Sequence, residues 1–237
     1  MGFGKSESPP GADYTLARHA QNLCDLIDEL DLNNITLVMQ DWGGPIGAVA
    51  AARQPHRMKR FVAMNTIFGT DRSVREDRLT PWFAAIKAME DAGQLEAVLG
   101  NLRFLAGAVM TMLGIQRRDV VTDTWLRAYA AAFATPEECR GAIAFPSEGL
   151  HLERIRETLV SALPALFKMG ESGIPAMMIE GMQDRAIWPH VALAGFRAFF
   201  PHGTVHELPD AGHFIQEDAH ETVIPLIEEF CLRTGQL

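Results

Sequence analysis

Cysteine, basic residues and long apolar runs are all scarce in this sequence of 237 residues. The three cysteines, Cys24, Cys139 and Cys231, lie far apart, and an odd, scattered set forms neither a disulfide framework nor the spacing of a metal site. Lys and Arg number 21 against 30 Asp and Glu, a net charge of −9 that disfavours binding to nucleic acid phosphates. No apolar run reaches the ~20 residues of a membrane span. We therefore predict no metal, nucleic acid or membrane as a partner, and a cytoplasmic location.

The apolar residues, 48% of the chain, suffice for a large core, and their spacing predicts an α/β fold. Residues 15–65 alternate between helix and strand, which is typical of a parallel sheet with crossover helices. Residues from about 70 to 165 are rich in Ala, Met, Leu and charged residues and predict a helical insertion. The alternation then resumes. The predicted strands are 35–39, 60–64, 175–179 and 204–208, and the helices beside them are 15–30, about 45–53, 191–200 and 220–232.

A polar residue follows the first of these strands, a Gly lies two positions later, and a helix begins at once. This is the layout of a nucleophile elbow, the G-x-S-x-G turn that presents a nucleophile above a sheet. Asp41 takes the place of the Ser, Met39 that of the first Gly, and Gly43 that of the second. We expect a small residue at Gly43 because the helix backbone passes close by. The alternative is that Asp41 only caps the next helix.

Two loops near the end of the chain offer partners for Asp41. Asp184 follows the strand at 175–179, and His213 follows the strand at 204–208, 29 residues later. The order nucleophile, acid, histidine is that of the α/β-hydrolases. Taken alone, His213 could equally be a surface loop histidine, but the three features together predict a catalytic triad.

The motifs that carry these residues resemble those of the haloalkane dehalogenases. They are GFGKSESP at 2–9, VMQDWGGPIG at 38–47, GMQDRAIWP at 181–189 and DAGHFIQED at 210–218. The resemblance implies an α/β-hydrolase fold with a mainly parallel sheet and an inserted helical cap. Its expected parts are a first core segment at 1–70, the cap at 71–165 and a second core segment at 166–237. In that family about four strands precede the GFGKS loop, so the N-terminal part of the sheet is expected to be missing from this chain.

The same resemblance implies hydrolysis of haloalkanes to an alcohol and a halide ion. An ionised carboxylate can displace halide directly, so Asp41 would form an alkyl ester. His213, oriented by Asp184, would then activate the water that cleaves the ester. The Trp42 indole would donate to the departing halide; otherwise Trp42 is a core residue. No cofactor or metal is implied, and the partners are a halogenated small molecule and water.

The predicted cap contributes further candidates. Phe145 and Pro146 resemble a pocket-lining Phe-Pro pair of one branch of the family. Trp125 and Trp82 are candidate second halide donors, although cap helices usually bury Trp for packing. Some members carry their acid as Glu at the position of Asn65. Here the acid lies later, at Asp184, as in the members with an Asp-Asp-His triad.

Two alternative functions remain open. An epoxide hydrolase would use the same Asp ester but needs a pair of cap tyrosines, whereas of Tyr14 and Tyr129 only the second can lie in the cap. An inactive fragment or pseudoenzyme is the alternative from another class. It is favoured by the lack of the His-Gly-x-Pro type loop that gives one of the two oxyanion donors, whose loss costs ~3 kcal/mol of barrier.

Overall fold

The computed structural model describes residues 1–68 and 79–235, which form one parallel sheet surrounded by helices. The strands are β1 (Ile35–Asp41), β2 (Met58–Thr66), β3 (Ala176–Gly181) and β4 (Thr204–Leu208), and they lie in the order β1-β2-β3-β4. The helices are α1 (Leu16–Glu29), α2 (Gly43–Arg53), α3 (Pro81–Asp91), α4 (Leu95–Leu99), α5 (Leu102–Leu113), α6 (Asp123–Ala130), α7 (Arg140–Leu150), α8 (Leu152–Glu171), α9 (Pro189–Phe199), α10 (Ile215–Asp218) and α11 (His220–Arg233). The predicted α/β fold with a parallel sheet is confirmed.

Local sequence signals explain the elements around the sheet. The Thr15 hydroxyl accepts the N–H of Arg18 and caps the first turn of α1, as Thr often does. Leu16, Ala20 and Ile27 follow at helical spacing and are buried. The four predicted strands lie within β1 to β4 apart from residue 175, and the strand predicted at 204–208 coincides with β4.

The sheet is covered on both faces, which is the usual arrangement for parallel strands. Met39, Ala63 and Met178 pack on one face in a cluster that includes residues of α1, α2, α8 and α9. Val62 and Ile179 point to the opposite face, where they pack against residues of α11. Because all strands run the same way, their carboxyl ends meet at one edge of the sheet, where ligands of such folds usually bind.

Helices α3 to α7 lie within the range predicted as a helical insertion, and residues of α3, α4, α5 and α7 share a hydrophobic cluster with Ala186. Helix α8 behaves differently, since its residues Ile155, Leu159 and Leu166 pack into the main core. The predicted boundary at residues 70–71 lies outside the described residues, and the one at 165–166 falls inside α8. We propose that the cap ends before α8.

None of the helices described has both the length and the apolar character required to cross a lipid bilayer.

Candidate active site

Asp41 is the last residue of β1 and has a left-handed backbone, with φ of 50°. A positive φ is uncommon for residues other than Gly and marks a sharp turn at functional sites. The hydroxyl of Thr66 donates to the Asp41 carbonyl oxygen and ties the turn to the end of β2. Helix α2 begins two residues later, so the Asp41 side chain, 42% exposed, stands at the carboxyl edge of the sheet.

The close approach at this turn involves Gly44 rather than Gly43. A Cβ on Gly44 would lie 2.0 Å from Thr66 Oγ1 and 2.5 Å from the Ile67 carbonyl oxygen. A Cβ on Gly43 would meet nothing nearer than Met39 Cβ, at 3.7 Å, an ordinary contact. The expectation that Gly43 must be small for lack of space was therefore wrong, because the tight packing is against the end of β2.

Asp184 and His213 form a buried pair. His213 Nδ1 donates to Asp184 Oδ2 at 2.8 Å, and their side chains are 1% and 0% exposed. His213 Nε2 points the other way and lies 3.6 Å from Asp41 Oδ1, an ion-pair distance rather than a hydrogen bond. The structure thus brings together the three residues predicted to form the triad, in the order Asp41, His213, Asp184.

The Asp184 carboxylate is held by three donors besides His213. Its Oδ1 accepts the N–H groups of Ala186 at 2.6 Å and Ile187 at 2.9 Å. Asn65 Nδ2 donates to Oδ2 at 2.9 Å, while Asn65 Oδ1 accepts the Gly181 N–H. Asn65, at the position where some family members carry Glu, therefore orients the acid on the neighbouring strand end.

Charge decides the protonation of His213. Burial disfavours the charged form, but the carboxylates of Asp184 and then Asp41 outweigh it and raise the pKa of His213 to about 10. The imidazolium between two carboxylates is therefore the dominant form at neutral pH while Asp41 is ionised.

Glu180, in β3, was not among the predicted site residues. It is fully buried and neither carboxyl oxygen makes a hydrogen bond. Burial, followed by the nearby Asp184 carboxylate, raises the pKa of Glu180 to about 9, so the group is neutral at pH 7. The sequence feature that could have identified Glu180 is an acidic residue in an otherwise apolar strand.

An open cavity of about 330 Å³ lies above Asp41. Trp42 and Phe145 line it, with their rings stacked at a centroid distance of 4.8 Å. Gln40, also in the wall, lies with Nε2 3.3 Å from His213 Nε2 and donates to the His213 carbonyl oxygen at 3.1 Å. The remaining lining residues are Met1, Phe3, His19, Gly43 and Ile46.

His19 was missed in the sequence, where its helical context suggested no role. Its ring lies 4.9 Å from that of Phe145, and its buried Nε2 makes no hydrogen bond. Burial, followed by the positive charge of the N-terminus, lowers the pKa of His19. The cavity therefore has a neutral histidine in its wall.

Three predicted candidates are not among the residues that line the cavity. The Trp125 indole donates to Glu217 Oε2 at 3.0 Å. Trp82 is buried in the cluster of the helical insertion, and Pro146 is buried inside α7. For Trp82, the packing alternative describes the observed surroundings, whereas Trp125 is half-buried and hydrogen-bonded to Glu217.

The hydroxyl groups of both tyrosines already donate hydrogen bonds within the protein. The Tyr129 hydroxyl donates to Glu217, and burial, followed by that hydrogen bond, raises the pKa of Tyr129 well above its ordinary value. The Tyr14 hydroxyl donates to the Pro9 carbonyl oxygen at 3.3 Å. Residues 1–68 and 79–235 contain no group of three or more His, Cys, Asp or Glu side chains arranged to hold a metal ion.

Comparison with known proteins identifies the family to which the chain belongs. The sequence profile described as "Alpha/beta hydrolase family" matches residues 1–226. The chain belongs to the alpha/beta hydrolase family. A haloalkane dehalogenase of Mycobacterium marinum is 30% identical to this alpha/beta hydrolase over 226 residues, covering 92% of the chain and 69% of that protein. Membership of the haloalkane dehalogenase family, predicted from the motifs, is confirmed.

Other relatives of this alpha/beta hydrolase include a decarboxylase and a further haloalkane dehalogenase. A cis-3-alkyl-4-alkyloxetan-2-one decarboxylase of Shewanella oneidensis is 31% identical over 246 residues, covering 100% of the chain and 73% of that protein. Haloalkane dehalogenase 2 of Mycobacterium tuberculosis is 28% identical over 229 residues, with 97% and 75% covered.

Solved structures show the same fold. The haloalkane dehalogenase DbeA from Bradyrhizobium elkani superposes with a TM-score of 0.79 at 24% identity, covering 99% of this chain and 79% of that one. DatA from Agrobacterium tumefaciens gives a TM-score of 0.78 at 22% identity, with 99% and 78% covered. At these identities the likeness establishes the fold alone.

Proposed function

We propose that this alpha/beta hydrolase cleaves haloalkanes to an alcohol and a halide ion through an ester on Asp41. The observation that carries the proposal is the arrangement of His213, 2.8 Å from Asp184 on one side and 3.6 Å from Asp41 on the other. A nucleophilic carboxylate beside a histidine base fits a substrate that is first alkylated and then hydrolysed.

In the first step an Asp41 oxygen attacks the carbon that bears the halogen. A carbon–oxygen bond forms, the carbon–halogen bond breaks, and the electron pair leaves with the halide. Trp42 lines the same cavity, and within the described part of the chain its indole N–H has no hydrogen-bond acceptor. We propose that this N–H binds the halide as its charge develops. Phe145, stacked on Trp42, would contact the alkyl chain.

In the second step a water molecule attacks the ester carbonyl carbon and gives a proton to His213 Nε2. The bond between that carbon and the alkoxy oxygen then breaks, the alcohol leaves with a proton returned by His213, and the Asp41 carboxyl group is regenerated. Esterification removes the negative charge of Asp41, which is one of the causes that raise the pKa of His213. The pKa of His213 consequently falls when the ester forms, and the histidine becomes able to accept a proton at the step that requires it. Asp184 stabilises the imidazolium that results.

A second candidate function is decarboxylation of an alkyl-substituted oxetan-2-one. It is favoured by the 31% identity to the decarboxylase of Shewanella oneidensis over the whole chain. Halide release from 1-bromobutane, compared with carbon dioxide release from a cis-3,4-dialkyloxetan-2-one, distinguishes the two. Diol formation from styrene oxide tests the epoxide alternative, against which the engaged Tyr129 and Tyr14 argue. A folded protein inactive on all three substrates would favour the inactive alternative.

The mechanism predicts a specific behaviour for the variant His213→Phe. It should release about one halide per folded molecule from 1-bromobutane and then stall, because Asp41 needs no base to displace halide. Steady-state turnover should fall by roughly 10²–10⁴-fold. Intact-protein mass spectrometry should show a butyl group on the stalled enzyme.

Two further variants complete this test. His202→Phe, at an exposed histidine in the turn before β4, should keep the turnover of the wild type. Asp41→Asn should give no initial halide release. Absence of the trapped mass in a folded His213→Phe variant, when the wild type turns over, would count against Asp41 as the nucleophile.

A further inference from the structure

Helix α10, a single turn, follows directly after His213 and Phe214 and ends at the buried residue Asp218. Asp218 Oδ2 accepts the N–H of Gly212 at 2.7 Å. Its Oδ1 accepts the N–H groups of Gln116 and Arg117, both at 2.9 Å. One carboxylate therefore joins the loop that carries His213 to the segment that follows α5.

These two segments also touch directly. A Cβ on Gly212 would lie 1.5 Å from the Gly114 carbonyl oxygen, so only Gly allows this approach. A Cβ on Gly114 would lie 3.1 Å from the His213 backbone nitrogen. The Leu113 carbonyl oxygen accepts the Arg185 N–H at 3.3 Å. Residues 113–117 thus contact both the loop of His213 and the loop of Asp184.

We propose that Asp218 is a positioning residue for His213. The inference rests on the proposed function, because it assigns to Asp218 an effect on the hydrolytic step. The N–H that Asp218 accepts belongs to the Ala211–Gly212 peptide, one residue before His213, so its orientation constrains the course of the loop that carries the histidine. Hydrogen bonds to a buried carboxylate are strong and directional, and Asp218 supplies acceptors to both segments at once.

Loss of this carboxylate should affect the two chemical steps unequally. Asp41 can displace halide without His213, whereas the water that cleaves the ester needs the His213 imidazole in place. Displacements of about 1 Å can cost roughly 10²-fold in rate. An Asn at 218 has one acceptor oxygen, and its amide N–H₂ would face a backbone N–H on one side.

The test measures halide from 1-bromobutane in single-turnover and steady-state experiments with Asp218→Asn. The initial release should remain near one halide per folded molecule, as in a His213→Phe variant, while steady-state turnover falls about 10- to 100-fold. The butyl ester should accumulate during turnover and be detected by mass. The matched control Glu228→Gln removes an exposed acid of α11 and should keep wild-type turnover.

Several outcomes would overturn the proposal. Unchanged turnover in Asp218→Asn would remove the positioning role, and an initial release that falls in parallel with turnover would make Asp218 a purely structural residue. If the Asn variant does not fold, Asp218→Glu, which keeps both acceptor oxygens, should show the same separation to a smaller degree; its absence also overturns the proposal. If the wild-type protein releases no halide, the proposed function is rejected instead. The failure of the proposed function can therefore be distinguished from the failure of the positioning role of Asp218.

Discussion

Single charges at the carboxyl edge of the sheet are set by their immediate neighbours. His213 is held as a cation by Asp184 and Asp41, which stand on either side of it. Glu180, close to the same carboxylate, has no hydrogen-bond partner and is held neutral by burial and by Asp184. The pKa values of both groups are thus raised, which favours the charged form of His213 and the neutral form of Glu180; strongly shifted pKa values cluster at functional sites.

Glu180 makes stability depend on pH. Its pKa rises from 4.5 in the unfolded chain to about 9 in the fold, so the folded state binds the proton more tightly. The free energy of unfolding therefore falls as the pH rises through this window, by up to about 1.4 kcal/mol per pH unit. The variant Glu180→Gln lacks this pH-dependent contribution. Its free energy of unfolding should therefore increase relative to that of the wild type from pH 5 to pH 8.5.

Urea unfolding at several pH values measures this difference. The other charged groups that act on Glu180, namely Asp184, His213 and Glu207, are the same in both proteins. Glu171→Gln, at an exposed acid that ends α8, is the control and should follow the wild type. Parallel pH profiles for Glu180→Gln and the wild type would show that Glu180 is not held neutral.

At the scale of elements, the turn from β1 to α2 determines how Asp41 is presented. Met39 stands where the elbow motif has its first Gly, and a Cβ on Gly47 would lie 2.5 Å from Met39 Sδ. The large residue is accommodated because α2 has a Gly opposite it. Met39 thus replaces the first Gly of the motif, and Gly47, one turn along α2 from Gly43, makes room for the Met39 side chain.

The crowding at the start of α2 predicts a difference between two neighbouring glycines. Gly44→Ala places a methyl group against Thr66 and the Ile67 carbonyl oxygen, and overpacking of this kind costs about 1–3 kcal/mol. Gly43→Ala has room for its methyl group and should change stability by less than about 0.5 kcal/mol. Urea unfolding of the two variants gives the comparison, and equal losses would contradict it.

The sequence predicts the meeting of Asp41, Asp184 and His213 because each follows a strand and parallel strands end at one edge. It does not predict contacts that depend on how distant elements pack. Trp125 bonds to Glu217, 92 positions away, and no local pattern reveals that choice. Gly44 rather than Gly43 is crowded for the same reason, since β2 supplies the neighbouring atoms.

The length of the cap was also beyond the sequence pattern. Helix α8 has the periodicity of any amphipathic helix, and its composition resembles that of the preceding helices. Only its packing through Ile155, Leu159 and Leu166 into the main core separates it from α3 to α7. We therefore propose that a change of packing partner, rather than a change of composition, marks the end of the cap.

For the whole molecule, one buried acid connects a helix from the middle of the chain to the first helix of the fold. Glu148 Oε2, in α7, accepts the N–H of Leu16 at the start of α1 at 2.9 Å, across 132 positions. A carboxylate at a helix N-terminus also interacts favourably with the helix dipole. Helix α7 is thereby joined to α1, which packs into the main core.

Removal of this hydrogen bond should lower the free energy of unfolding of the protein. Glu148→Ala leaves the Leu16 N–H without its partner and should cost about 1–3 kcal/mol in the free energy of unfolding. Glu148→Gln keeps an acceptor oxygen and should lose less, which makes it the matched control. Urea unfolding followed by circular dichroism measures both, and an Ala variant as stable as the wild type would show that the contact contributes nothing.

The all-parallel sheet also has a consequence for the order of folding. Each neighbouring strand is reached only through a long connection, and Asn65 meets Asp184 across 119 positions of chain. Closing loops of this length costs entropy before any contact repays it. Helices α1 and α2, which are local, can form early, whereas the edge that unites Asp41 with the His213 pair exists only after β3 has joined β2. We therefore expect the candidate active site to assemble late in folding, after a nascent or refolding chain has formed its local secondary structure.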